Sequence, residues 1–235
     1  MPDALSGVDV VILAGGQGTR LQSVPGDVPK PLRPVNGRPF LSYLLDQIRA
    51  SGGRRIILSL GYRPDTFREL ATREGLEVSV EPAPLGTGGG LRNAFPLLRS
   101  DAVMAMNGDS YAAVDLGLLA ALQRRRKARA LMLLAEVPDA SRYGRVEIDE
   151  DGSVLSFSEK GEAGPGLINA GVYVLQRSVV AEIPEGRAVS LERETFPSLI
   201  GTRFFGEPGA FPFMDIGTPE SYAASSEFFQ KTRSR

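Results

Sequence analysis

The first half of the chain alternates short apolar runs with segments of helical periodicity, and this alternation is its strongest constraint on the fold. Strands are predicted where aliphatic and β-branched residues follow one another, at 8–13, 55–60, 76–81 and 102–106. Helices are predicted between and after them, at 39–51 with Gly52 as the stop, at 64–73, at 91–98 and from the cap Asp115 to Arg126. Such alternation predicts a parallel, doubly wound sheet.

The pattern changes after Ala130, where predicted strands follow one another at 130–137, 144–148, 154–158 and 167–175. Asp151-Gly152 between two of them is a hairpin signal. We find no internal repeat and no linker. The sequence therefore predicts one mixed α/β domain, in which a first part (1–128) and a second part (129–235) form the two walls of a cleft.

Composition removes several kinds of chemistry. The chain has no cysteine and no histidine, which excludes disulfides, thiolate metal sites, cysteine nucleophiles and Ser-His-Asp catalysis. Its 27 basic and 28 acidic residues give a net charge of −1, so no positive field favours nucleic acid, and the basic run 124–127 suits a helix carboxyl end. Without a signal peptide or an apolar run of about 18 residues, we expect a cytoplasmic protein with no membrane partner.

The densest chemical signal is a glycine-rich loop at the end of the first predicted strand. Its backbone N–H groups are suited to cradle phosphate oxygens. The dinucleotide fingerprint fails at Leu21, and the loop lacks the lysine followed by Ser or Thr that a Walker loop requires. Arg20, and Lys30 between two prolines, add fixed positive charge. The predicted loop contacts are Leu13, Ala14, Gly15, Gly16, Gly18 and Thr19.

Two aspartates follow apolar segments far apart in the sequence. Asp109 ends Asn107-Gly108-Asp109 after a predicted strand, and Asp215 precedes a predicted helix that starts near Pro219. A hard cation such as Mg²⁺ takes a few carboxylates together with phosphate oxygens and water. Each aspartate is a candidate ligand, but the spacing alone does not place them together.

Gly15-Gly16-Gln17-Gly18-Thr19-Arg20-Leu21 followed by Pro29-Lys30-Pro31 resembles the signature of the sugar-1-phosphate nucleotidylyltransferases. Later motifs follow in the family's order along nearly the whole chain. The resemblance implies a Rossmann-like, three-layer mixed sheet in a single domain, with a nucleotide-binding part (1–128) and a sugar-binding part (129–235). It also implies Arg20 and Lys30 as catalytic residues, and Mg²⁺ held by Asp109 and Asp215.

The resemblance also assigns a nucleobase pocket to a second glycine-rich segment, 81–90, with contacts from Glu81, Gly86 and Thr87. Thymidylyl members have an amide where this chain has Glu81. A carboxylate only accepts hydrogen bonds, and guanine offers two neighbouring donors, N1–H and N2–H. Uracil and thymine offer one donor between two acceptors, so Glu81 favours GTP, although a uridylyl branch has a similar segment.

The sugar side is implied by three further motifs. Gly144 in Tyr143-Gly144-Arg145 and Glu159 match contacts to sugar hydroxyls, and Lys160 matches the contact to the sugar phosphate. Asn169, together with Asn107, completes the predicted sugar-phosphate set. Gly161 stands where many members have proline.

The expected reaction is GMP transfer from GTP to a sugar 1-phosphate, with D-glycero-α-D-manno-heptose 1-phosphate as the best-fitting acceptor. Because the sequence ends soon after Asp215, we expect it to lack the β-helix domain of many mannose-1-phosphate guanylyltransferases. A mannose-1-phosphate guanylyltransferase and an N-acetylmuramate-1-phosphate uridylyltransferase stay open. A non-catalytic sensing subunit also stays open, but it would not need all five of the proposed charged site residues. Phe204-Phe205 fits a core position or the interface of a homo-oligomer.

Overall fold

A mixed sheet of seven strands organises the protein. The computed structural model describes residues 5–16, 18, 28–157 and 163–233. The strands are β1 (Val8–Leu13), β2 (Pro34–Val35), β3 (Arg38–Pro39), β4 (Ile56–Leu60), β5 (Glu77–Val80), β6 (Ala102–Asn107), β7 (Ser110–Ala112), β8 (Ala130–Val137), β9 (Val146–Ile148), β10 (Val154–Phe157), β11 (Gly166–Gln176), β12 (Phe204–Gly209) and β13 (Phe213–Asp215).

Helices cover both faces of that sheet. They are α1 (Phe40–Ala50), α2 (Arg68–Glu74), α3 (Gly86–Asn93), α4 (Leu116–Arg126), α5 (Arg177–Glu182), α6 (Phe196–Leu199) and α7 (Pro219–Arg233). Among the described residues, three short 3₁₀ segments lie at Lys30–Leu32, Pro64–Phe67 and Phe95–Leu97, and one π-helical turn lies at Leu191–Thr195. Within the described ranges, no helix has the length and apolar character needed to cross a bilayer.

The strand order of the central sheet is β12-β8-β11-β6-β1-β4-β5. β1 pairs in parallel with β4 and β6, β4 with β5, and β8 with β12. β11 is antiparallel to both of its neighbours, β6 and β8. Six strands therefore point the same way, and their carboxyl ends meet along one edge, where open α/β sheets bind ligands.

Both faces of the sheet are buried, which confirms the predicted three-layer α/β domain. Val10 and Ile12 of β1 pack in one apolar cluster with α1, α4 and α7, whereas Val11 packs in a second cluster with α3, α5 and α6. Successive strand residues point to opposite faces, so an uninterrupted apolar run serves both layers.

Most predicted elements agree with the structure within a few residues. Asp115 caps α4 through a hydrogen bond from Gly117 N to its Oδ1 (2.8 Å), and Asp149–Ser153 connects the antiparallel pair β9–β10. Pro39, placed in the first helical position by the sequence, instead ends β3 and precedes α1. Phe204 is buried and stacks on Phe196, so it is a core residue.

The predicted first residue of the helix at 91–98 was wrong. α3 begins at Gly86 and takes up the glycines that the sequence placed in a loop, and a 3₁₀ turn replaces its predicted end. A Cβ on Gly86 would lie 2.6 Å from Val189 O, and one on Gly89 would lie 2.8 Å from Arg187 O. The glycines therefore let α3 pack directly on the backbone of 187–189, and this contact overrides their low helix propensity.

Candidate active site

A cavity of about 650 Å³ opens at the carboxyl edge of the sheet. Fourteen predicted site residues line it: Leu13, Ala14, Gly15, Gly16, Gly18, Lys30, Glu81, Gly86, Thr87, Asn107, Asp109, Gly144, Asn169 and Asp215. Four predicted site residues, Thr19, Arg20, Glu159 and Lys160, lie outside the described residues. The structure thus brings residues from both halves of the sequence to one cavity.

In the wall of the cavity, Glu81 is enclosed by glycines from three segments of the chain. A Cβ on Gly15 would lie 2.3 Å from Glu81 Oε1, one on Gly90 would lie 2.7 Å from the same oxygen, and one on Gly61 would lie 3.1 Å from Oε2. No side chain other than hydrogen fits at Gly15 unless Glu81 moves. The glycine pattern therefore makes room for this carboxylate as well as for a ligand.

The Glu81 carboxylate keeps acceptor capacity for a ligand. Its Oε2 accepts one hydrogen bond, from Leu85 N (2.9 Å). In the part of the chain that the structure describes, no hydrogen bond reaches Oε1. Burial raises the pKa of Glu81, and the hydrogen bond from Leu85 opposes that rise. A half-buried carboxylate with free lone pairs is suited to accept from a ligand donor.

Lys30 and Asp109 form an ion pair on the cavity wall. Lys30 Nζ lies 3.3 Å from Asp109 Oδ2, and the lysine side chain is only 10% exposed. Gly18, with a φ of +65°, passes so close that a Cβ there would lie 3.0 Å from Lys30 Cγ. This positive φ, which glycine adopts without strain, lets the first loop pack on the lysine stem and fix its ammonium group.

Asp215 is held beside Asp109 by the two-stranded sheet of β7 and β13. Asp215 pairs with Ser110 in the antiparallel register, and Ile216 N donates to Asp109 O (2.9 Å). Asp215 Oδ1 accepts from Gly217 N (2.8 Å), and its Oδ2 accepts from the Tyr143 hydroxyl. Two carboxylates thus share one rim of the cavity, although they are distant in sequence.

A buried amide–phenol network forms the wall between β6 and β11. Asn169 Nδ2 donates to the Tyr173 hydroxyl (2.7 Å). Burial, and then the negative charge of Glu192, keep the pKa of Tyr173 well above its usual range. Asn107 Oδ1 is buried and has no hydrogen-bond partner among the described residues, which is uncommon for a buried polar atom.

Sequence reasoning missed several residues that line the same cavity: Ser59, Ser110, Arg142, Tyr143, Glu192 and Phe213. Tyr143 stood in a quoted motif but had no assigned role. Ser59 lies within a buried strand, where its hydroxyl has no partner in the described structure. Glu192 lies in a π-helical turn and is followed by two other charged residues, Arg193 and Glu194, with no glycine or motif to mark it.

The parallel strands of the mixed sheet end at a cavity that holds a glycine loop, a fixed lysine and two neighbouring aspartates. This combination defines a nucleotide-handling transferase. The chain belongs to the nucleotidyl transferase family, whose signature matches residues 9–232. This result confirms the resemblance drawn from the glycine loop and the Pro29-Lys30-Pro31 motif, and it makes the protein an enzyme of that family.

Individual relatives give the comparison more detail. Mannose-1-phosphate guanylyltransferase of Mycobacterium tuberculosis is 41% identical over 229 residues, which cover 93% of this chain and 64% of that protein. D-glycero-alpha-D-manno-heptose 1-phosphate guanylyltransferase of Campylobacter jejuni is 32% identical over 222 residues, which cover 92% and 97%. The crystal structure of HddC from Yersinia pseudotuberculosis matches with a TM-score of 0.84 at 36% identity, covering 94% of this chain and 99% of that one. Another HddC structure contains GMP-PN.

Proposed function

We propose that this protein transfers GMP from GTP to a sugar 1-phosphate and releases pyrophosphate. One observation carries the proposal: a single cavity is lined both by the Glu81 carboxylate and by Lys30, Asp109 and Asp215. Glu81 suits a base with two adjacent donors, and the lysine with the two aspartates suits phosphate groups and their counter-ion. The named guanylyltransferase relatives and the GMP-PN complex of HddC support the same base.

The reaction needs charge compensation more than proton transfer. An oxygen of the sugar phosphate attacks the α-phosphorus of GTP, and the bond from that phosphorus to pyrophosphate breaks. The attacking oxygen is already anionic at neutral pH, so no general base is required, in accord with a chain that lacks histidine. Lys30 would hold phosphate oxygens, and catalysis would rest on positioning and electrostatic stabilisation.

Asp109 and Asp215, the two carboxylates on one rim of the cavity, fit a divalent cation. Asp109 and Asp215 supply two hard oxygen ligands, which suffices for Mg²⁺ because phosphate oxygens and water complete its shell. Among the described residues, no cluster of three or more potential ligands occurs, so an all-protein cage is not built there. We propose Asp109 and Asp215 as the Mg²⁺ ligands; when bound, the ion would neutralise phosphate charge.

Four proposed contacts rest on the family resemblance alone. Arg20 would stabilise the leaving pyrophosphate, Lys160 would anchor the sugar phosphate, Glu159 would hold a sugar hydroxyl and Thr19 would complete the phosphate loop. The division into a nucleotide part (1–128) and a sugar part (129–235), the cytoplasmic location and the homo-oligomer also stay predictions.

Our first choice of acceptor is D-glycero-α-D-manno-heptose 1-phosphate. The Campylobacter relative that bears this name matches the chain along 97% of its own length. Mannose 1-phosphate is the second candidate, because the mycobacterial relative has the higher identity, 41%. Both acceptors share the manno configuration, so the same cavity has to be tested with each.

The test is a pyrophosphate-release assay with Mg²⁺, each nucleoside triphosphate and a panel of sugar 1-phosphates. We expect release with GTP and one manno-configured acceptor, and no release after chelation of the metal. Release with UTP or dTTP in place of GTP would overturn the assignment of the base. Absence of release with every pair would overturn the proposed activity and favour a nucleotide-sugar-sensing subunit.

A further inference from the structure

Glu192 is a cavity carboxylate that the proposed reaction does not yet use. It lies in the π-helical turn Leu191–Thr195, which is an uncommon conformation and often occurs at functional sites. Glu192 Oε2 accepts hydrogen bonds from the hydroxyls of Thr87 (2.9 Å) and Ser190 (3.0 Å). Within the described ranges, no hydrogen bond reaches Oε1, so one carboxylate oxygen is left for a ligand.

The Thr87 hydroxyl is occupied by this arrangement. Besides donating to Glu192, it accepts a hydrogen bond from Leu191 N (2.9 Å). Thr87 therefore connects the first turn of α3 to the π-helical turn. This pattern fits a residue that positions Glu192 better than one that directs its hydroxyl to the nucleotide.

Glu192 lines the same cavity as Asn169, one of the predicted sugar contacts. Its negative charge helps to raise the pKa of Tyr173, whose hydroxyl accepts a hydrogen bond from Asn169 Nδ2. Asn107, another predicted sugar-phosphate contact, also lines this cavity, and its buried Oδ1 has no hydrogen-bond partner among the described residues. A carboxylate with one oxygen left to accept matches a ligand that carries hydroxyl groups, whereas phosphate oxygens offer no donor and would be repelled by it.

We propose that Glu192 is a specificity-determining residue that accepts a hydroxyl of the sugar 1-phosphate through Oε1, and that Thr87 is its positioning residue. The inference rests on the proposed function and extends it to the acceptor sugar. Hydrogen bonds to a charged acceptor are stronger than neutral ones, and leaving a buried partner unpaired is costly. The contact therefore selects for a hydroxyl at one ring position and against its deoxy analogue.

Steady-state kinetics on the full chain test the proposal, with mannose 1-phosphate, manno-heptose 1-phosphate and the 2-, 3- and 4-deoxy derivatives of mannose 1-phosphate as acceptors. We expect Glu192→Gln to raise KM for the sugar phosphate about 10-fold or more and to leave KM for GTP within about twofold. We expect wild type to discriminate against one deoxy acceptor by about 10–100-fold, and Glu192→Gln to reduce that ratio to about threefold or less. Unchanged deoxy discrimination in Glu192→Gln would overturn the proposal.

Glu194→Gln is the matched control. Glu194 lies in the same turn, but its carboxylate pairs with the exposed Arg187 and does not line the cavity. We expect Glu194→Gln to keep the wild-type deoxy discrimination; an equal loss in both variants would indicate that the turn only has a structural role. Thr87→Val should raise KM for the sugar phosphate and not for GTP, and the reverse would overturn its positioning role. Absence of turnover by wild type with every pair is a separate result, because it overturns the proposed function itself.

Discussion

Replacing Glu81 by glutamine tests whether the Glu81 carboxylate recognises guanine. The carboxylate lies half-buried, one oxygen already accepts from Leu85 N, and the remaining lone pairs are proposed to accept guanine N1–H and N2–H. Glutamine keeps the shape and one acceptor oxygen, but it presents an NH₂ group where an acceptor was. Loss of one charge-assisted hydrogen bond of about 1.5–3 kcal/mol corresponds to roughly 10–150-fold in kcat/KM.

ITP is the informative substrate because inosine lacks the N2 amino group. We expect wild type to favour GTP over ITP by about 10-fold or more, and Glu81→Gln to bring the two nucleotides within about threefold of each other. Glu77→Gln, a change outside the cavity on β5, should keep the wild-type preference. Equal use of GTP and ITP by wild type would refute the argument that Glu81 reads the N2–H donor.

The direction of the Glu81 pKa shift adds a pH signature. Burial raises its pKa, so the carboxylate gains a proton at a higher pH than an ordinary glutamate does. A protonated carboxyl loses acceptor capacity. KM for GTP in wild type should therefore rise as the pH falls through this raised pKa. The same measurement on Glu81→Gln should show no such rise, and a rise of equal size in the variant would assign the titration to another group.

Three further predictions concern stability and the metal. Gly86→Ala should cost about 2–4 kcal/mol in urea unfolding, because a left-handed backbone (φ +70°) coincides with a 2.6 Å backbone contact, whereas Gly186→Ala (φ +74°, open space) should cost about 1 kcal/mol. Equal midpoints for the two variants would contradict the packing argument. Burial alone would raise the pKa of Asp9, but hydrogen bonds from three donors lower it, so its stabilisation is present above the unfolded-state pKa and is lost as the pH falls through the folded-state pKa. Acid unfolding of Asp9→Asn should accordingly depend less steeply on pH than that of wild type. Tyr143→Phe should weaken Mn²⁺ binding, followed by electron paramagnetic resonance with GTP, by about tenfold, because Asp215 loses the hydroxyl that orients it; unaltered binding would exclude that role.

The sequence predicted those parts of the fold that local patterns determine. β1 could be predicted because five of its six residues are apolar and serve both faces of one sheet. The start of α4 could be predicted because the Asp115 side chain accepts a hydrogen bond from the backbone N–H of Gly117 in the first turn. The start of α3 could not, since glycine disfavours helix and only the distant backbone of 187–189 explains its presence. Tertiary contact decided the conformation there.

The candidate site divides along the same line. Its glycine loop and Lys30 each belong to a short motif that can be seen in the sequence, and the structure places both at the cavity. The closeness of Asp109 and Asp215 depends on the pairing of β7 with β13, and no spacing rule contains that pairing. Glu192 and Ser59 carry no local signal at all, because their importance comes from what lies opposite them in the folded chain.

The position of β11 governs how the two halves of the chain can move. This 11-residue strand comes from the second half and lies between β6 of the first half and β8 of the second, hydrogen-bonded to both. A hinge between the halves would have to break that ladder, so closure around substrates is confined to rim segments. In hydrogen exchange, amides of β6, β8 and β11 should open together in the slowest cooperative unit, while the segments around the cavity exchange through separate, smaller openings.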